Sequence, residues 1–107
     1  MKPFRFHSSA ESEMIEAAAW YEAQETGLGK RFLTSVQDAL SRIQVNPLLY
    51  PIVEEDVRRC LTKTFPFGVL FRVRSDCILV IAVMHLHRDP GYWKDRRFGQ
   101  VDSCDGK

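Results

Sequence analysis

The fold is decided by the stretch FPFGVLFRVRSDCILVIAVMH, residues 65–85, which contains two neighbouring strand patterns. Residues 65–74 alternate between apolar and other side chains, which is typical of a strand with one buried face. Residues 77–85 are apolar on both faces, as expected for the central strand of a sheet. Ser75 and Asp76 join the two strands. They lack the Asn-Gly signature of a tight hairpin, so the loop is either two residues long or longer.

A two-residue loop fixes the register of this hairpin. One face then pairs Val73 with Ile78, Phe71 with Val80, Val69 with Ala82 and Phe67 with Met84. This face is wholly apolar and is expected to lie under helices. The opposite face pairs Arg72 with Leu79, Leu70 with Ile81, Gly68 with Val83 and Pro66 with His85, and it continues to His87.

The elements before the hairpin complete the predicted fold. Residues 4–7 form a short strand, and Ser8 with Glu11 has the form of a capping box at a helix start. Two apolar stripes with helical spacing follow, Ala10, Met14, Ala17, Ala18 and Tyr21 on the first helix and Phe32, Val36, Leu40 and Ile43 on the second. Residues 27–29 separate the helices, Asn46-Pro47 ends the second, and a further strand covers residues 57–63. We expect an α+β fold, β-α-α-β-β-β, with the helix hairpin on one face of a mainly antiparallel sheet. The domain spans residues 1–98, and residues 99–107 form a flexible tail.

The sheet face away from the helices is predicted to be open. Leu70, Leu79, Ile81 and Val83 would then form an exposed apolar patch, rimmed by Arg72, Arg74, His85 and His87. Patches of this kind usually mark a binding surface. The alternative is that the tail covers this face with Phe98 and Val101.

Composition limits the class of protein. The chain has 107 residues, which is one domain, and no apolar run long enough to span a bilayer. It begins without an apolar signal segment, and its three cysteines form no C-x-x-C pair. We therefore expect a cytoplasmic protein with free thiols.

Charge is distributed unevenly along the chain. Residues 1–57 carry nine acids and five bases, whereas residues 58–107 carry five acids and ten bases. The basic half favours an anionic partner, either nucleic acid or an acidic protein segment. Cations that merely solvate the surface would give the same pattern.

Residues 85–97 carry the greatest concentration of reactive side chains, with two imidazoles, several cations and two aromatic rings. His85 and His87 point the same way on a strand, but a metal site needs a third ligand. Cys77 lies eight residues from His85, roughly 26 Å along a strand. We expect no metal and no cofactor.

Several residues, taken in order, resemble the RelE/ParE toxin superfamily. They are Ala10-Glu11, Trp20-Tyr21-Glu22, Gly27-Leu28-Gly29 with Phe32, Asn46-Pro47, Tyr50-Pro51, Arg59, Phe65-Pro66-Phe67, Arg72-Val73 and His85-x-x-Arg88-x-Pro90-x-Tyr92-Trp93. The chain is similar to the ParE-like branch that is often labelled plasmid-stabilisation protein. The resemblance implies a toxin of a type II toxin–antitoxin pair, neutralised when the C-terminal segment of a small antitoxin folds onto it.

The resemblance implies two modes of action. RelE-like toxins cut mRNA on the ribosome, and ParE-like toxins poison DNA gyrase. RNA cleavage without metal needs a base, an acid and cations that stabilise the charged phosphorane. Tyr92 matches the tyrosine of RelE-like enzymes, but one arginine of those enzymes falls on Gly68 and another falls on or beside Leu86. If the chain is a nuclease, its catalytic residues are His85, His87, Arg88 and Tyr92.

The leading prediction is therefore a ParE-like toxin that inhibits growth by binding a macromolecular target, DNA gyrase. The predicted target- or nucleic-acid-binding residues are Arg59, Lys63, Arg72, Arg74, Arg88, Trp93, Arg96 and Arg97. The predicted antitoxin-binding residues are Leu70, Leu79, Ile81 and Val83. The alternatives are a ribosome-dependent mRNA endonuclease and a non-toxic, antitoxin-binding remnant. Homodimerisation through the same patch stays open.

Overall fold

Two helices pack on one face of a five-stranded sheet in the computed structural model, which describes residues 2–96. The elements are β1 (Phe4–Phe6), α1 (Ser8–Gln24), α2 (Leu28–Val45), a 3₁₀ helix (Pro47–Leu49), β2 (Ile52–Glu54), β3 (Val57–Leu61), β4 (Phe67–Val73) and β5 (Ile78–His85). The sheet order is β1-β5-β4-β3-β2, with β1 parallel to β5 and the other pairs antiparallel. The predicted fold class is confirmed, with β2 as an additional strand. The predicted tail, together with Arg97, Phe98 and Val101, lies outside the described residues.

The two helices form the expected hairpin, but their ends are capped differently from the prediction. His7 is the N-cap of α1, and its Nδ1 accepts the backbone N–H of Ser9, so the predicted Ser8–Glu11 capping box is wrong. The Glu22 carboxylate accepts the N–H groups of Gly27 and Gly29 and thereby caps α2 from the preceding helix. Gly29 is required there, because a Cβ atom would lie 2.5 Å from a backbone oxygen of α1.

The main core lies between the helices and the sheet. The predicted stripe of α2 is buried at Phe32, Val36 and Ile43. These side chains pack against the face of β4 and β5 that carries Phe71 and Val80. Neither of the described helices is long and apolar enough to cross a membrane.

The cysteines agree only partly with the expectation of free thiols. Cys60 is free and fully buried on β3, and burial raises the pKa of its thiol. Cys77 is disulfide-bonded, so the expectation was wrong for this residue.

The predicted register holds for only the first half of the hairpin. Val73 pairs with Ile78 and Phe71 with Val80, as expected, but Leu70 then pairs with Ala82. Ile81 is the extra residue of this β-bulge, and an extra residue exchanges the two faces of the strand beyond it. Val83 therefore packs in the core under the helices, and His85 stands opposite Phe67 rather than Pro66.

The second sheet face is covered, so the prediction that it is open was wrong. Leu70, Leu79, Ile81 and Val83 are each at most 2% exposed. Val83 is buried on the helix side, and the other three form a second core with Trp93, which is 4% exposed. The cover comes from the segment after β5, which turns back through the hydrogen bonds Lys94 N to Gly91 O and Arg96 N to Trp93 O.

The two tryptophans provide a test of this second core. Trp93→Ala should lower the free energy of unfolding by about 3–5 kcal/mol, because it removes the aromatic cover of three buried side chains. Trp20, 60% exposed, is the matched control, and Trp20→Ala should cost less than about 1 kcal/mol. Urea unfolding followed by circular dichroism measures both values. Equal losses in the two variants would contradict the packing of Trp93.

Candidate functional site

A cluster centred on Glu13 of α1 ties the segment after β5 to the sheet. The Glu13 carboxylate accepts the backbone N–H of Val83 at 3.0 Å and two guanidinium nitrogens of Arg96 at 3.0 and 2.8 Å. Arg96 also donates to the Ile81 carbonyl at 2.9 Å. Both charged side chains are largely buried, at 13% and 15% exposed. The hydrogen bonds to Glu13 raise the pKa of Arg96 above its usual value, although burial opposes the change.

Tyr92 belongs to the same cluster. Its hydroxyl donates to Glu13 at 2.6 Å, and its ring lies under the guanidinium of Arg88, 3.8 Å from the ring centroid. Burial, and then the hydrogen bond to Glu13, raises the pKa of Tyr92 well above its ordinary range. A tyrosine held in this way is a poor proton donor or acceptor at neutral pH.

The two histidines lie at the end of β5, away from this cluster. The His85 ring packs against Phe67 and against the His87 ring, with centroids 5.1 Å apart in both cases. The Nδ1 atom of His85 accepts the backbone N–H of His87 at 3.1 Å. The predicted catalytic set therefore forms two pairs of side chains, His85 with His87 and Arg88 with Tyr92, and the backbone N–H of Arg88 links them by donating to the His85 carbonyl at 3.0 Å.

Gly68 and Leu86 meet on the second sheet face. A Cβ atom at Gly68 would lie 3.1 Å from the Cγ and Cδ atoms of Arg59 and 3.6 Å from Leu86. Arg59 thus lays its aliphatic stem across Gly68. Leu61, opposite Gly68, and Leu86 are partly exposed here. This end of the sheet is apolar where a nuclease would concentrate positive charge.

The predicted target-binding residues do not form one basic surface. Arg72 pairs with Asp56 and Glu55, Arg74 pairs with Asp56, and Arg96 pairs with Glu13. Trp93 is buried and Arg97 lies outside the described residues. Lys63 is exposed 4.0 Å from Asp38 of α2, and Arg88, half-exposed in the loop after β5, has its Nη1 atom 3.8 Å from the Glu13 carboxylate. Lys94 pairs with Glu54, so six of the eight lysines and arginines of residues 58–96 lie within ion-pair distance of a carboxylate of the same chain.

Asp56 holds two of these arginines together at the β2–β3 turn. Its carboxylate accepts Arg72 Nε at 2.8 Å and Arg74 Nη1 at 3.1 Å. Burial alone would raise the pKa of Asp56, but the hydrogen bonds and positive charges of the arginines outweigh burial and lower it.

Within the described part of the chain, no group of three or more histidine, cysteine or carboxylate side chains is placed to hold a metal ion.

Glu13 is the structurally important residue that sequence reasoning missed. It lies three residues after Ala10 and four residues before Ala17, both of which belong to the predicted apolar stripe of α1. An acid between two members of a buried stripe signals a buried polar contact. The partners of Glu13 could not be read from this spacing, because Val83, Tyr92 and Arg96 lie at least 70 residues away.

Comparison with known proteins identifies the class. Residues 4–90 match the family described as the ParE toxin of the type II toxin–antitoxin system parDE. A solved structure, the chromosomal ParDE toxin–antitoxin system from P. aeruginosa, has a similar fold, with a TM-score of 0.61 and 17% sequence identity. The similarity covers 81% of this chain and 98% of that chain. A search of curated proteins returns no significant match.

The match covers most of the chain, so the protein belongs to the ParE toxin family of type II toxin–antitoxin systems. The predicted membership of the RelE/ParE superfamily is confirmed.

Removing the charge of Glu13 tests the cluster. Glu13→Gln should lower the free energy of unfolding by about 3 kcal/mol, because Arg96 would remain charged and largely buried without its counter-charge. Glu16→Gln, one turn along the same helix at an exposed position, is the control and should have little effect. Urea unfolding measures the free energy of unfolding of both variants. If Glu13→Gln is as stable as Glu16→Gln, the cluster does not support the fold.

The arginines around Asp56 predict a component of the pH dependence of stability. The pKa of Asp56 is lower in the folded than in the unfolded chain, so its ion pairs stabilise the fold above about pH 4. This contribution is lost as the pH falls through the lowered value. Asp56→Asn should cost less than about 1 kcal/mol at pH 7, since the carboxylate is more than half exposed.

The cost of Asp56→Asn should be smaller at pH 3 than at pH 7, because the ion pairs are lost as the carboxylate is protonated. Urea unfolding at the two pH values measures this difference. A cost for Asp56→Asn that is independent of pH would exclude the charge effect.

Proposed function

We propose that this toxin acts in the cytoplasm by binding a macromolecular target, DNA gyrase, without chemistry of its own, and that a cognate antitoxin neutralises it. The observation that supports the proposal most directly is that the contacts of Tyr92 lie within the fold. Its hydroxyl is committed to Glu13, and its ring is covered by Arg88. The one residue that matches the tyrosine of RelE-like enzymes is therefore part of the scaffold.

The apolar surface around Gly68 supports binding rather than cleavage. A charged phosphorane needs cations at the reacting phosphate. Gly68 and Leu86 supply none, and Arg59 offers only one guanidinium beside them. A surface of partly exposed leucines next to single cations is better suited to contact with another protein.

The target contact is proposed to involve the exposed loop of residues 86–90. Every residue of this loop is exposed, and it carries the imidazole of His87 and the guanidinium of Arg88. The loop follows directly after His85, the last residue of β5, and it is followed two residues later by the anchored Tyr92. Both of its ends are therefore fixed. A loop held at both ends loses little conformational entropy on binding.

An antitoxin partner is proposed from the family and the similar structure, which is described as a toxin–antitoxin system. The predicted antitoxin-binding residues are buried under the segment that contains Trp93. Leu70, Leu79 and Ile81 could contact an antitoxin only if that segment moved.

One observation favours the alternative, ribosome-dependent cleavage of mRNA. His85 and His87 lie with their rings 5.1 Å apart at the exposed end of β5. Such a pair could supply both the base and the acid of RNA cleavage.

Controlled expression with separate readouts for the two mechanisms tests the proposal. A gyrase poison should induce the DNA-damage response and trap covalent gyrase–DNA complexes, while translated messages stay intact. His87→Ala should leave this toxicity in place, because no proton transfer is involved. Arg88→Ala should weaken gyrase inhibition in a supercoiling assay about tenfold, the effect of losing one charged interfacial contact. Arg31→Ala, exposed on α2, is the matched control.

Cuts in translated mRNA that vanish in His87→Ala would instead establish the nuclease. Growth that is unaffected by expression, with the antitoxin still bound, would identify a non-toxic remnant.

A further inference from the structure

An aromatic concavity lies where the second half of α1 meets the end of β5. Its volume is about 440 Å³, and its lining consists of Ala17, Trp20, Tyr21, Phe67 and His85. Four of these five side chains are rings. Among residues 2–96, no lysine, arginine or carboxylate side chain belongs to the lining. The aromatic concavity is therefore a ring-walled space without a charge that the fold has already paired.

The rings of the aromatic concavity stand at steep angles to one another. Trp20 and Tyr21 have centroids 5.2 Å apart and planes at 82°, and Phe67 and His85 have centroids 5.1 Å apart and planes at 77°. In an edge-to-face pair the edge of one ring meets a face of the other, so each ring keeps a face free for another contact. The face of an aromatic ring carries negative charge density and attracts cations.

Trp20 is the exposed wall of the aromatic concavity. Its side chain is 60% exposed, whereas Phe67 on the opposite element is 7% exposed. Sites for free small molecules bury most of the surface of the ligand, which so open a wall does not allow. An open wall suits a side chain that arrives on a larger partner, because the rest of that partner adds contacts around it. Among aromatic rings, the indole attracts cations best.

The helix that carries this wall is acidic. It contains neither lysine nor arginine, and its four carboxylate residues are Glu11, Glu13, Glu16 and Glu22. Glu13 is neutralised by Arg96, and Glu22 caps α2. Glu11 and Glu16 are exposed, and neither forms an ion pair within the described residues 2–96. The exposed side of α1 therefore favours a positively charged partner.

Glu16 places one of these carboxylates beside the aromatic concavity. It lies one turn before Trp20, and residues four positions apart are neighbours on a helix surface. Arg88 and Arg96, two cations that reach α1, are both directed at Glu13 and leave Glu16 to an external partner.

His85 does not oppose a cation in this arrangement. Its Nδ1 atom accepts the backbone N–H of His87, and a ring nitrogen that accepts a hydrogen bond carries no proton. The ring is therefore neutral here, and the aromatic concavity contains no positive charge.

We propose that the aromatic concavity binds an arginine side chain of a protein partner, with the guanidinium on the face of Trp20 and paired with Glu16. Arginine fits better than lysine, because its planar group stacks on rings and pairs with a carboxylate at the same time. A nucleobase could stack on the same rings, but its phosphates would be repelled by the acidic helix. This inference does not rest on the proposed function, since it uses no residue of the loop 86–90.

NMR titration with a short glycine peptide that carries one central arginine and blocked ends tests the proposal. Concentrations up to about 20 mM are needed, because one side-chain contact gives only millimolar affinity. The indole N–H signal of Trp20 should shift, whereas that of the buried Trp93 should not. The same peptide with citrulline, which has the shape of arginine without its charge, should bind about tenfold more weakly.

Variants of α1 test the two groups that would hold the guanidinium. Trp20→Leu and Glu16→Gln should each weaken binding of the arginine peptide at least about threefold, followed through the backbone N–H signal of Ala17. Glu11→Gln is the matched control and should bind like the wild type, because Glu11 is exposed on the opposite side of the helix from Trp20. Unfolding curves show whether each variant keeps the fold, and Glu16→Gln decides alone if Trp20→Leu does not fold.

Four results would overturn the proposal. The first is a Trp20 signal that does not move at the highest peptide concentration. The second is equal affinity for the arginine and citrulline peptides, which would exclude recognition of the charge. The third is an equal loss in Glu11→Gln and Glu16→Gln, which would indicate unspecific attraction to the acidic helix. The fourth is tighter binding of a leucine peptide or of adenosine monophosphate, which would assign the aromatic concavity to an apolar side chain or to a nucleobase.

Discussion

The structure depends on the ion pair between Glu13 and Arg96, which completes the edge of β5 where β1 ends. β1 pairs only with residues 78–80 of β5. Beyond that point Arg96 donates to the carbonyl of Ile81, and Glu13 accepts the N–H of Val83. Two side chains thus satisfy backbone groups that a longer first strand would have satisfied, at a bulge where the ladder is already irregular. Because Arg96 belongs to the segment after β5, the same pair fixes that segment to the sheet.

Anchoring this segment has two consequences, one for the second sheet face and one for the loop after β5. It brings Trp93 over Leu70, Leu79 and Ile81, which gives a small domain a second core. It also engages Tyr92 and leaves the loop of residues 86–90 exposed between two fixed ends. At this end Tyr92 is therefore part of the packed fold, whereas the loop of residues 86–90 is accessible.

Most of the positively charged side chains described in the second half of the chain form ion pairs within the fold. Arg72, Arg74 and Arg96 each pair with a carboxylate of residues 1–57. The uneven charge along the sequence thus reflects contacts between the two halves as much as the nature of a partner.

The sequence by itself determined the order of the helices and of every strand except β2, together with the helix hairpin and the hairpin of β4 and β5, because apolar periodicity and the positions of glycine and proline are local properties. It also indicated the family through residues that span most of the chain. Only the tertiary structure decided the bulge at Ile81, which moves Val83 to the other core, since one extra residue leaves no mark in an entirely apolar strand. It likewise decided the cover by Trp93 and the partners of Glu13. The partners of Glu13 lie 70 or more positions away, and Trp93 covers residues that precede it by 12 to 23 positions, so no local pattern specifies either set of contacts.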